Sequence, residues 1–191
     1  GIVIDWDNWY LKKGFVPLTV RELTDSLFEI FSEKRYGISS YFSSYKNLSD
    51  KLKKISKHIE ELKSDEWPRE SQDITSENEP EEFKLWLQKK LKKQDLDSFE
   101  KSESQLTNIL IQGLKDCSCD SVVILSVDNY DYLSPELDEW FRTAFLSQIC
   151  NDDTKIISII SGNNQLPRGF RNVFPEDLLY IVNFSDITLT R

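Results

Sequence analysis

Two kinds of apolar pattern alternate along the chain: short runs with no helical period, and stretches in which apolar residues recur every three or four positions. Ile2 to Ile4 is a run of the first kind and predicts a short buried strand. Residues 19–34, TVRELTDSLFEIFSEK, are of the second kind, with Val20, Leu23, Leu27, Ile30 and Phe31 on one stripe and Thr19 with Glu22 as a capping box. Residues 38–45, ISSYFSSY, are a weaker strand expectation. A longer helix is expected over 47–63, where Leu48, Leu52, Ile55, Ile59 and Leu62 face inward. The acidic, proline-bearing stretch 64–82 predicts a loop, and 81–93, EEFKLWLQKKLKK, a short helix.

Beyond residue 100 the pattern tightens. Residues 103–117 predict a helix burying Leu106, Ile109, Leu110 and Leu114, and 121–128, SVVILSVD, form the strongest buried-strand pattern of the chain. Residues 134–149 predict a helix capped by Ser134, with Pro135 at its first position and Leu137, Trp140, Phe141, Ala144, Phe145 and Ile149 inward. Residues 155–161, KIISIIS, and 178–184, LLYIVNF, predict two more strands. Strands alternating with helices, and apolar on both faces, point to an α/β layer fold with a mostly parallel central sheet flanked by helices. At 191 residues the chain is expected to form a single domain, with a helical and acidic-loop insertion at about 46–100.

Composition narrows the class of protein. A chain with 39% hydrophobic and 12% aromatic residues is globular, and no apolar run has the length of a membrane span. Three cysteines, Cys117, Cys119 and Cys150, are expected to be reduced thiols of a cytoplasmic protein. There is no methionine and the first residue is Gly1, the pattern expected if methionines are missing from the sequence and a tag has been cleaved. A net charge of −9 argues against a surface that binds nucleic acid everywhere. Lysines cluster locally, however: Lys84, Lys89, Lys90, Lys92 and Lys93 lie near Trp86. That is either a phosphate-gripping face, with Lys89, Lys90 and Lys93 as substrate contacts, or a solvated helix side. Trp6, Trp9 and Tyr10 carry a similar pair of readings, stacking on bases or covering the core.

In parallel α/β sheets the working site lies beyond the carboxyl ends of the strands. Two strands here end in acids: IVID carries Asp5, followed by Asp7 and Asn8, and VVILSVD carries Asp128, followed by Asp131. The third end, IISIISGNN, brings small polar residues. Acids after strands serve equally as turn formers. If the strands are neighbours, however, Asp5 and Asp128 converge, and carboxylates held together suit a hard cation such as Mg2+ or Mn2+.

These ends also resemble a family. IVIDWDN is similar to the opening strand of NYN-type nucleases of the PIN-like superfamily, with Asp5 and Asn8 at the Asp-x-x-Asn spacing. VVILSVDNYDY resembles the family's later Ser-Gly-Asp-x-Asp-aromatic motif, with Ser126 and Asp128 in place, Val127 where the family has glycine, and Asp131 and Tyr132 one residue late. Glu103 with Leu106 fits the family's acid on the preceding helix, and LLYIVNF its closing strand. The resemblance leaves 35–100 unmatched. It implies a three-layer, Rossmann-like (PIN-like) fold and Mg2+- or Mn2+-dependent cleavage of single-stranded RNA. Asp5, Glu103 and Asp128 would be metal ligands, and Asp5, Asn8, Asp128 and Asp131 the catalytic set. Val127 is expected to crowd the close approach that glycine allows. Residues 121–164 are similar as well to the Walker B strand, helix and sensor strand of STAND-type NTPases, but no phosphate-loop sequence accompanies them. A catalytically inactive PIN-like binding module is the third expectation.

Overall fold

A computed structural model of the chain describes residues 1–14, 17–66, 79–150, 154–162 and 169–174. It divides into two compact units, 1–41 with 110–191, and 42–109. Among the described residues no helix is long and apolar enough to cross a membrane.

Among the described residues, the first unit has a parallel sheet of three strands, in the order β1 (Ile2–Asp5), β2 (Val123–Asp128), β3 (Ile156–Ile160). The register pairs Ile2 with Leu125, Ile4 with Val127 and Asp5 with Asp128; on the other side of β2, Val123 pairs with Ile156 and Val127 with Ile160. Residues in register share a face, so Ile2, Ile4, Val123, Leu125, Val127 and Ile156 form one buried layer. The opposite face departs from expectation. Val3, Ile124, Ile157 and Ile159 are 40–54% exposed, so burial alternates along strands whose sequence predicts cover on both sides.

Helix α1 (Trp6–Lys13) begins directly after Asp5, an element the alternating pattern does not reveal. Trp6 and Trp9 are buried, which favours core cover over base stacking; Tyr10 is half exposed. Helix α2 (Val20–Phe31) has the expected capping box, the Thr19 hydroxyl accepting from the Glu22 amide and the Glu22 carboxylate from the Thr19 amide. It packs on β1 with Leu23, Leu27, Ile30 and Phe31 buried.

The expected strand at 38–45 is absent. Short 3-10 turns at Lys34–Tyr36 and Ser39–Phe42 run instead into helix α3 (Ser43–Glu66). The reason is periodicity: Phe42, Tyr45, Ser49, Leu52, Ile55 and Ile59 are all buried at three- and four-residue steps, which extends the helical stripe upstream of residue 47. The stretch 81–93 likewise splits into α4 (Glu79–Lys90) and α5 (Lys93–Glu100). Helix α6 (Ser102–Asp120) runs three residues past the expected end at 117 and carries Cys117 and Cys119 in its last turns. All three cysteines are free.

The stretch 134–149 is helical with one unforeseen feature. Ser134 caps α7 (Pro135–Trp140), the middle turn Phe141–Leu146 is π-helical, and α8 (Ser147–Ile149) completes it. The wide turn fits an aromatic cluster in which Phe141 and Phe145 lie 5.2 Å apart and Phe141 meets Tyr130 at 5.8 Å. A further helix, α9 (Gly169–Val173), packs on the π turn. The strand expected at 178–184, Asn163 and Asn164 lie outside the described residues.

Candidate functional site

Asp5 and Asp128 are the last residues of β1 and β2 and are Cα partners in the sheet. Neighbouring strands run about 4.8 Å apart, so the two carboxyl groups leave one edge together on the sheet's open face. Asp128 is exposed and Asp5 half-buried. Like charges opposite one another in a sheet are destabilising, and the usual compensations are a cation, a proton or fixed hydrogen-bond donors.

Donors are present at Asp128. Its Oδ1 accepts from the Ser161 hydroxyl at 2.5 Å and from the Asn129 amide at 3.0 Å. Ser161 is itself held against β2, its amide donating to the Val127 carbonyl at 2.9 Å while its carbonyl accepts from the Tyr130 amide at 3.0 Å. Asn129 makes the turn by adopting the left-handed conformation, with φ 55° and ψ 45°, which Asn tolerates better than most side chains.

That left-handed residue lies between Asp128 and the turn that bears Asp131. After it, Tyr130–Tyr132 form a 3-10 turn that carries Asp131 towards the end of β3. A Cβ added to Gly162 would lie 3.0–3.2 Å from the Asp131 carboxyl group, so glycine there gives Asp131 its place. Val127 does not crowd the edge. It is fully buried on the opposite face, between Ile4 and Ile160, because a strand sends successive side chains to opposite sides.

The remaining expected residues fall elsewhere. Asn8 lies in the first turns of α1, three residues past Asp5. Glu103, near the start of α6, and Lys89, Lys90 and Lys93 belong to the unit 42–109. All four are exposed. Among the described residues no three Asp, Glu, His or Cys side chains gather around one point that could hold an ion. The structure therefore brings together a pair of carboxylates, Asp5 and Asp128, with Asp131 beside Gly162.

Sequence reasoning notes Ser161 and Gly162 only as small polar residues, yet they contribute the donor to Asp128 and the space for Asp131. It misses a second group behind the edge. The Tyr130 hydroxyl bonds to Asp138 Oδ1, and Arg142 donates to both Asp138 oxygens, Nε to Oδ1 at 3.0 Å and Nη2 to Oδ2 at 2.9 Å. Burial, reinforced by the Asp138 hydrogen bond, pushes the Tyr130 phenol far above its ordinary range. The signal for this group was an i, i+4 Asp–Arg pair inside a helix otherwise rich in apolar residues.

No protein-family model matches the chain, and no curated protein or solved structure is significantly similar to it.

Proposed function

We propose that the carboxyl edge of the sheet is a divalent-cation site for hydrolysing phosphodiester bonds in single-stranded RNA, carried by a Rossmann-like unit of the PIN-like kind. The observation that carries this reading is the register that sets Asp5 opposite Asp128. The donor set fits Mg2+ or Mn2+: the ligands are hard oxygens, and such ions are commonly bound by one or two carboxylates, with water and substrate phosphate completing the shell. Asp5 and Asp128 would hold the ion, whose bound chemistry is to lower the pKa of a water and to stabilise charge on the phosphate.

The chain's own residues supply orientation. Ser161 and the Asn129 amide fix Asp128 through Oδ1. Asp131, set against Gly162, is the proposed proton acceptor or water-steering group. Lys89, Lys90 and Lys93 are the proposed contacts to the RNA backbone. Lys93 opens α5, where the helix's own N–H groups add positive potential for a phosphate. Asn8, three residues past Asp5 at the start of α1, is proposed as a positioning residue.

The test is cleavage of a fluorescently labelled single-stranded RNA with Mn2+, Mg2+ or chelator. The wild-type protein cleaves only with an ion present, and Asp5→Asn and Asp128→Asn each lose at least a hundredfold. Absence of cleavage with either ion, together with absence of ion binding, leaves the inactive binding module as the account of this fold.

A further inference from the structure

Behind the carboxyl edge sits a polar group that the proposed chemistry does not use. Tyr130 is only 5% exposed, and its ring packs among aromatic rings, with centroids 5.8 Å from that of Phe141 and 5.6 Å from that of Phe170. Asp138 meets the Tyr130 hydroxyl and the Arg142 guanidinium at the same time. Arg142 stands on the π turn, its guanidinium 5.8 Å from the Phe170 ring and so close to Gly169 that a Cβ there would run into Nη1. A single carboxylate thus joins three elements: the turn after β2, the helix α7 with its π segment, and α9.

The turn after β2 is the part that needs fixing. Asn129 is left-handed, and the only residue between Asp128 and Tyr130 is Asn129 itself. If Tyr130 shifts, its amide leaves the Ser161 carbonyl, and Ser161 carries the hydroxyl that holds Asp128. Asp131 follows Tyr130 directly and depends on the same turn to reach Gly162. Buried polar groups sharing one partner fail together, because a donor left unsatisfied in an apolar surround costs more than the bond itself contributes.

We infer that Asp138 is a positioning residue for the carboxyl edge: through the Tyr130 hydroxyl it fixes the turn that carries Asp128 and Asp131, and through Arg142 it ties that turn to α9. As far as it concerns ion binding, this rests on the reading of the edge as a cation site. The link to α9 makes Gly169 a remote control point, since a side chain there requires the Arg142 guanidinium to shift.

The experiment uses the full chain as wild type, Asp138→Asn, Tyr130→Phe and Gly169→Ala, with Tyr130→Phe removing a single oxygen should Asp138→Asn fold poorly. Amide exchange at Tyr130 is measured with the Leu125 amide of the core strand as internal reference, and Mn2+ affinity by titration calorimetry. In each variant Tyr130 exchange rises about tenfold while Leu125 is unchanged. Mn2+ affinity falls about tenfold, the usual effect of losing a partner behind a metal ligand. Folded variants with Tyr130 exchange equal to wild type overturn the inference. Mn2+ uptake absent from the wild-type protein defeats the cation reading instead, and the exchange data then judge the positioning role by themselves.

Discussion

The two ends of the strand pair β1–β2 handle polar groups in opposite ways. At the amino end a cavity of about 350 Å³ is lined by Arg35, Tyr36, Tyr41, Cys117 and the first residues of both strands. There the polar groups answer one another. The Tyr36 hydroxyl accepts from the Val3 amide at 3.1 Å and donates to the Val3 carbonyl at 3.4 Å, filling the outer edge of β1. The Tyr41 hydroxyl donates to Asp120 at 2.5 Å. At the carboxyl end two acids of like charge face each other in register, with Asp128 held there by the Ser161 hydroxyl and the Asn129 amide. Evenly matched polar groups of the first kind are what stability alone selects, whereas an arrangement that costs stability is expected where function requires it.

The largest effect should come from the buried layer beneath both ends. Val127→Gly should cost about 2–4 kcal/mol, from lost burial, a cavity and a freer backbone. Urea unfolding measures it. A Val127→Gly variant that is stable and gains activity would show that the side chain constrains the edge after all.

Next in size is the amino end. Tyr36→Phe removes the hydroxyl that bridges Val3 and should cost about 0.5–1 kcal/mol. It should leave Mn2+ affinity at the other end untouched, which separates the two ends by a single titration.

A smaller effect is alkaline. The hydrogen bond to Asp120 pushes the Tyr41 phenol up to about 12, and burial raises Tyr130 in the same direction. A phenol whose folded pKa lies above its unfolded value of about 10 contributes stability that is complete below pH 10 and is lost as pH rises through the folded pKa. Urea midpoints should therefore fall above about pH 10. Tyr130→Phe should flatten that fall more than Tyr41→Phe, because Tyr130 is buried.

Much of this frame could be read in the sequence. The three described strands, the capping box at Thr19 and the Ser134–Pro135 helix start all follow from local chemistry that tertiary contacts reinforce. The misses have a common cause. Strand 38–45 failed because Phe42 and Tyr45 continue the helical step of Leu52 and Ile55, a period longer than the window in which alternation was sought. The π turn at Phe141–Leu146 and the left-handed Asn129 answer packing demands from Tyr130 and Phe170, which lie far apart in sequence. Of the site, the acids at the strand ends were legible, and their register was not: it depends on which strands neighbour each other. Val127 illustrates the limit. Its place in the motif suggested crowding, but only the pleat shows that it points away from the acids.

The central proposal is that Asp5 and Asp128, facing each other in register, together bind a divalent cation. Thermal melting of wild type and Asp5→Asn, each with and without Mn2+, tests it directly. Without the ion, Asp5→Asn should melt at or slightly above the wild-type temperature, since removing one of two facing charges is worth a few tenths to about 1 kcal/mol. With Mn2+ at a hundredfold excess over its dissociation constant, the wild type should gain about 2.7 kcal/mol and the variant far less, reversing their order. Equal responses to Mn2+ in the two proteins, or a destabilised ion-free Asp5→Asn, would contradict the account.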